Sequence, residues 1–99
     1  MSVAGTWQLI IDSPMGKQEG EVVLHVDGDD VTGTLTNKTM NQQSEIFDGH
    51  ADGDTATWKM EMALVKVTLT FNVTVDGDTM TGKVTAGLIG GFNLEGKRV

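Results

Sequence analysis

The chain has 99 residues, enough for one hydrophobic core and so a single domain over residues 1–99. It has no cysteine, which excludes disulfides, thiol chemistry and cysteine-ligated zinc. The net charge of −7, with seven basic residues mostly scattered singly, repels phosphate and argues against a nucleic-acid partner.

Hydrophobicity alternates with period two, the pattern of half-buried strands. In chain order, strands are expected over residues 6–12, 20–26, 31–36, 45–51, 55–62, 65–75, 80–85 and 92–98. No segment of useful length shows a helical period. Asp27-Gly28-Asp29, Asp52-Gly53-Asp54 and Asp76-Gly77-Asp78 recur at spacings of 25 and 24 residues. Asp-Gly between alternating apolar runs marks a tight hairpin of type I′, because glycine reaches φ > 0 without steric cost.

A two-residue turn fixes register, so an even position before it shares a face with an odd position after it. Val22, Leu24 and Val26 then join Val31 and Leu35. Phe47 joins Trp58, Met60 and Met62, and the odd positions from Val67 to Val75 join Met80 and Val84. Thr32, Thr34, Lys59, Glu61, Lys66, Thr68, Thr70 and Lys83 fall on the other face. One apolar face and short links predict an all-β fold, an eight-stranded antiparallel up-and-down meander β-barrel. Closing the last strand on the first also removes both sheet edges. Gly20, Gly33, Gly49, Gly82 and Gly96 fall on the inner face. They suit a coiled, closing sheet, or leave room for a ligand.

Gly5-Thr6-Trp7 opens the first strand and Arg98 nearly ends the last, so closure sets them side by side. A guanidinium over an indole is a favourable stack. On these residues the chain resembles the calycin superfamily of lipocalins, fatty-acid-binding proteins and avidins, in which a Gly-x-Trp packs on a basic side chain near the barrel's end. Ser13-Pro14-Met15-Gly16 and the repeated Asp-Gly-Asp also resemble short bacterial lipocalin-like chains of unassigned role. The resemblance implies a barrel with a small-molecule cavity.

The two barrel ends differ. The Asp-Gly-Asp turns, Trp7 and Arg98 gather at one. Loops over 13–17, 37–43, 63–65 and 86–91 gather at the other and carry Pro14, Met15, Met40, Leu64, Leu88 and Ile89. Apolar loop tips have three readings: they plug the barrel, rim a portal, or form an interface between copies of the chain. The leading expectation is a small apolar or aromatic ligand in the barrel. Its lining would be Leu9, Ile11, Gln18, Leu35, Asn37, Gln43, Phe47, Trp58, Met60, Met62, Leu69 and Phe71, with a mouth of Met15, Met40, Leu64, Leu88 and Ile89. One alternative is a homo-oligomeric assembly module joined through those loops.

The other alternative is a cofactor-free isomerase, cyclase or dehydratase. The register points Glu45 inward, where an apolar chamber disfavours the charged carboxylate and suits it to acid–base work. Gln18, Asn37 or Gln43 would hold a carbonyl. His25 and His50 fall outward, and two ligands without a third make no zinc site. The clustered Asp side chains are accounted for by turn chemistry, so neither metal nor cofactor is expected. Met1 to Gly5 lacks the basic and apolar regions of a signal peptide, and no run approaches the roughly 18 apolar residues of a membrane span. A cytoplasmic protein with no membrane span is expected. Asn37-Lys38-Thr39 and Asn72-Val73-Thr74 match a glycosylation pattern by chance under that expectation.

Overall fold

Alternation of side chains across nine β-strands builds the molecule, seen in a computed structural model that describes residues 3–13, 16–38, 41–62, 67–86 and 90–99. The side chains of residues 13, 62 and 67 lie outside that description. The strands are β1 (Gly5–Ser13), β2 (Gly16–Asp27), β3 (Asp30–Asn37), β4 (Gln42–Glu45), β5 (Phe47–Asp52), β6 (Thr55–Met62), β7 (Val67–Asp76), β8 (Thr79–Thr85) and β9 (Gly91–Arg98). No helix occurs among the described residues. Eight strands close into an antiparallel barrel in meander order. β1 pairs with both β2 and β9, and β2 pairs with β3. β4 is the additional strand and continues the line of β5 along β3.

The expected faces hold on most strands. Trp7, Leu9, Val22, Leu24, Val31, Leu35, Trp58, Phe71, Val73, Val75, Met80, Val84 and Leu94 are buried in one cluster. His25, His50, Lys59, Glu61 and Lys83 are exposed. Burying one face of every strand removes the apolar side chains from water at about 25 cal/mol per Å².

The Asp-Gly-Asp corners are two-residue hairpins, but not of the expected type. Gly28, Gly53 and Gly77 have φ of 63–64°, while the Asp that follows each glycine does not share the positive φ. Glycine alone at the first loop position is the type II′ pattern. The Thr55 and Thr79 hydroxyls donate to the Asp52 and Asp76 carbonyls at 2.8 Å and tighten two of the corners.

The last Asp of each triplet does further work through its carbonyl. Ala51 N–H donates to Asp29 O (2.8 Å), Val75 N–H to Asp54 O (2.7 Å) and Arg98 N–H to Asp78 O (2.9 Å). Val99 N–H donates to Thr6 O at 2.9 Å. Each corner is thereby tied to the next hairpin, and the last strand to the first, around the acidic end.

One strand departs from the expected parity. Pairing of β5 with β6 slips between Phe47 and His50, and Asp48 at the slip has φ of 51°. This is a β-bulge. It turns Ile46 inward and leaves Phe47 41% exposed. Phe47 is therefore not a lining residue. Glu45 pairs with Thr34 and Gln43 with Thr36, which places both on the outer face and exposed. The inward orientation expected for Glu45, Gln43 and Phe47 is corrected by this single inserted residue.

Three of the inner-face glycines, Gly33, Gly49 and Gly82, sit where a neighbouring backbone approaches closely. A Cβ at Gly33 would lie 1.8 Å from Val23 O, and one at Gly82 would lie 2.0 Å from Asn72 O. These positions let neighbouring strands coil into contact.

The bulge makes a direct prediction. Ile46→Ala should lower stability by about 3 kcal/mol, whereas Phe47→Ala should change it by about 0.5 kcal/mol or less. Urea unfolding midpoints at constant slope measure both. Equal losses would contradict the bulge.

Candidate functional site

The two ends of the interior are built differently. At the acidic end the Arg98 guanidinium lies 4.2 Å from the centroid of the Trp7 ring. Trp7 Nε1 donates to Val3 O at 2.9 Å, and Arg98 Nη1 donates to Ala4 O at 2.7 Å. Arg98 Nε also lies 3.4 Å from Asp78 Oδ1. Glycine suits position 5, whose φ is 131°, and a Cβ there would also sit 2.7 Å from Arg98 Nη1. Val3 and Trp7 are both buried, so chain and cap together seal this end.

The middle of the interior is aromatic. Trp58 and Phe71 are cross-strand partners on β6 and β7, stacked with centroids 5.4 Å apart and planes at 16°. Both are fully buried. Trp58 Nε1, also buried, has no hydrogen-bond acceptor among the described residues.

Toward the loop end, the lining changes character. Leu35, Ile46, Met60, Leu69 and Ala86 are buried, and Ile11 and Phe92 are half-buried against them. Across from these, Gln18 and Asn37 are half-buried and joined, Asn37 Nδ2 donating to Gln18 Oε1 at 3.0 Å. Gln42 pairs with Asn37 and Ser44 with Leu35, adding polar side chains to the same inner parity. The rim is thus amide-rich on β2 to β4 and apolar on β1, β6, β7 and β9.

The backbone ladder is also interrupted here. β5 pairs with β6 from Asp52↔Thr55 to Phe47↔Lys59, and the pairing ends there. β4 pairs with β3 but not with β6. Among the described residues, no ladder joins residues 42–45 to residues 60–62. The bulge causes the gap, because it diverts the chain at Ile46 just as β4 should reach β6.

Of the expected lining, Leu9, Leu35, Trp58, Met60, Leu69 and Phe71 are buried in the core, and Ile11, Gln18 and Asn37 stand half-buried near the rim. Met62 belongs to β6, but its side chain is outside the described set, as are Met15, Met40, Leu64, Leu88 and Ile89. Glu45 faces outward, so the enclosed chamber on which its acid–base role relied does not surround it. It shares a shallow outer cavity of about 350 Å³ with His25, Thr32, Gly33, Thr34 and Ile46. A larger outer groove of about 490 Å³ runs past Gln8, Ile10, Glu19, Lys38, Glu95 and Lys97.

Sequence reasoning missed Ile46, Phe92, Ser44 and Gln42. Their signal was present in part: Ile46-Phe47 places apolar residues consecutively, and Asp48-Gly49 is a fourth Asp-Gly inside an expected strand. Val3 was missed because it precedes the first strand. Among the described residues no three His, Asp or Glu side chains gather as a metal site, and no helix is long and apolar enough to cross a membrane. No family model, curated protein or solved structure matches this chain.

The cap at the acidic end can be tested by Arg98→Lys. The ammonium keeps its charge but cannot lie flat on the indole, so stability should fall by about 1–2 kcal/mol in urea unfolding. An unchanged midpoint would show that the stack contributes nothing.

Proposed function

We propose that this chain is a calycin-like binding protein that takes a small apolar or aromatic molecule into the loop-end half of its barrel. The observation that carries the reading is the missing ladder between β4 and β6 over an apolar lining. Elsewhere, parting two strands breaks a run of backbone hydrogen bonds. Here, residues 42–45 and 60–62 can separate without that cost. Local opening is cheapest where few such bonds must break. The seam therefore supplies an entrance, and Met60 beside it supplies an adaptable thioether contact.

The lining fits that ligand class. The buried side chains at this level are aliphatic, aromatic or thioether, and among the described residues no charged residue is buried in the core. Polar groups are confined to the rim, where Gln18 and Asn37 can orient a ligand's outer end. A few polar groups beside a mostly apolar lining match the usual composition of a small-molecule site. The cap of Trp7 and Arg98 supports the calycin-like assignment.

Titration with neutral N-phenyl-1-naphthylamine tests the reading. Saturable one-to-one binding is expected, weakened on the order of tenfold by Met60→Trp, which fills the space beside the seam. Ile10→Ser, in the outer groove, should leave the affinity unchanged. Binding abolished by Ile10→Ser and indifferent to Met60→Trp would move the site to the outside of the barrel.

A further inference from the structure

The barrel holds two tryptophans, both fully buried, and it treats their N–H groups differently. Trp7 Nε1 is satisfied within the chain by Val3 O at 2.9 Å. Trp58 Nε1 is buried without an acceptor among the described residues. A buried donor left without a partner is destabilising, and native structures keep few of them. Phenylalanine at 58 would retain an aromatic stack and carry no such penalty. Among the described residues this orphan donor is a buried polar group that packing does not explain.

Its direction is constrained. Trp58 lies nearly parallel to Phe71, with planes at 16°. The indole N–H lies in the ring plane, so it cannot point at the Phe71 face. Among the inner side chains on the strands around it are Ala56, Met60, Leu69, Val73 and Val84. None of these offers an oxygen. Among the described residues the N–H has no acceptor, and a molecule entering the barrel can supply one.

The charge of that acceptor is constrained too. The barrel's inward-facing cation among the described residues is Arg98, held against Trp7 at the sealed end. A carboxylate beside Trp58 would lose its hydration with no cation to replace it, a large penalty. A neutral acceptor loses far less. We propose that the molecule bound in the barrel is a neutral carbonyl compound with an apolar or aromatic body, its oxygen received by Trp58 Nε1. This rests on the interior-binding reading above and names its ligand class.

Two matched probes separate the ideas: 2-acetylnaphthalene, which carries the acceptor, and 2-ethylnaphthalene, which does not. Both compete with N-phenyl-1-naphthylamine on the wild type and on Trp58→Phe. The ketone-to-hydrocarbon affinity ratio should fall about tenfold in Trp58→Phe. A ratio changed by less than about twofold with both probes bound overturns the proposal alone, the N–H then being met by water or by nothing. Failure of both probes to bind the wild type overturns the interior-binding reading, and this proposal with it. Should Trp58→Phe fail to fold, the wild type decides. The Trp58 Hε1 resonance should move downfield with the ketone and not with the hydrocarbon, with Trp7 Hε1 as the unmoved reference. Equal movement with both probes overturns the proposal.

Discussion

A ring of backbone hydrogen bonds closes one end of this barrel, and the rest of the architecture follows from it. Each acidic corner offers the carbonyl of its last Asp to a strand of the next hairpin, through Ala51, Val75 and Arg98. The contact from Val99 to Thr6 joins the last strand back to the first. Once that circle is complete, the face of every neighbouring strand is set, because a slip of one residue would reverse all its side chains. The repeated triplet is thus more than three local turns. It is the joint by which adjacent hairpins lock together. Closure also leaves the β1–β9 pair with no free edge, the site at which an open sheet would recruit another chain.

At the opposite end no ladder joins β4 to β6 among the described residues. There the bulge at Asp48 sends Ile46 inward and parts β4 from β6. The same event removes Glu45 from the interior and puts Ile46 at its edge, so the seam is apolar and not ionisable. A sealed, capped pole with an unladdered, mostly apolar half beyond it is an arrangement suited to binding. It also disfavours acid–base chemistry in the chamber, since the described carboxylates lie on the outside or at the acidic turns.

Alternation and turn chemistry made the barrel legible in the sequence, as Val22-x-Leu24-x-Val26 facing Val31-x-x-x-Leu35 illustrates. The pairing of Trp7 with Arg98 could be read from their places at the start and end of the meander. The segment around Ile46-Phe47 could not be read the same way. Both residues are apolar, so hydrophobicity gave no preferred parity, and the turn after Asp52 fixes register only as far as the first irregularity. Asp48 adopts positive φ, which Asp tolerates better than most side chains, and Gly49 lets Val31 O approach closely. Both properties were visible as Asp-Gly, but only strand pairing shows that the pair makes a bulge and not a corner. The Trp58 N–H, without an acceptor among the described residues, was also hidden, because satisfaction of a donor depends on its neighbours in space.

The central claim is an asymmetric cylinder, hydrogen-bonded shut where the chain closes on itself and unladdered between β4 and β6. Residue-resolved amide hydrogen exchange on the unliganded protein tests it most directly. Slow exchange is expected for the paired amides of β1 and β9, with fast exchange for the amides of residues 42–45 and 60–62 that point toward the seam. Equal protection of the two regions would mean a fully laddered wall, and the entrance would be lost.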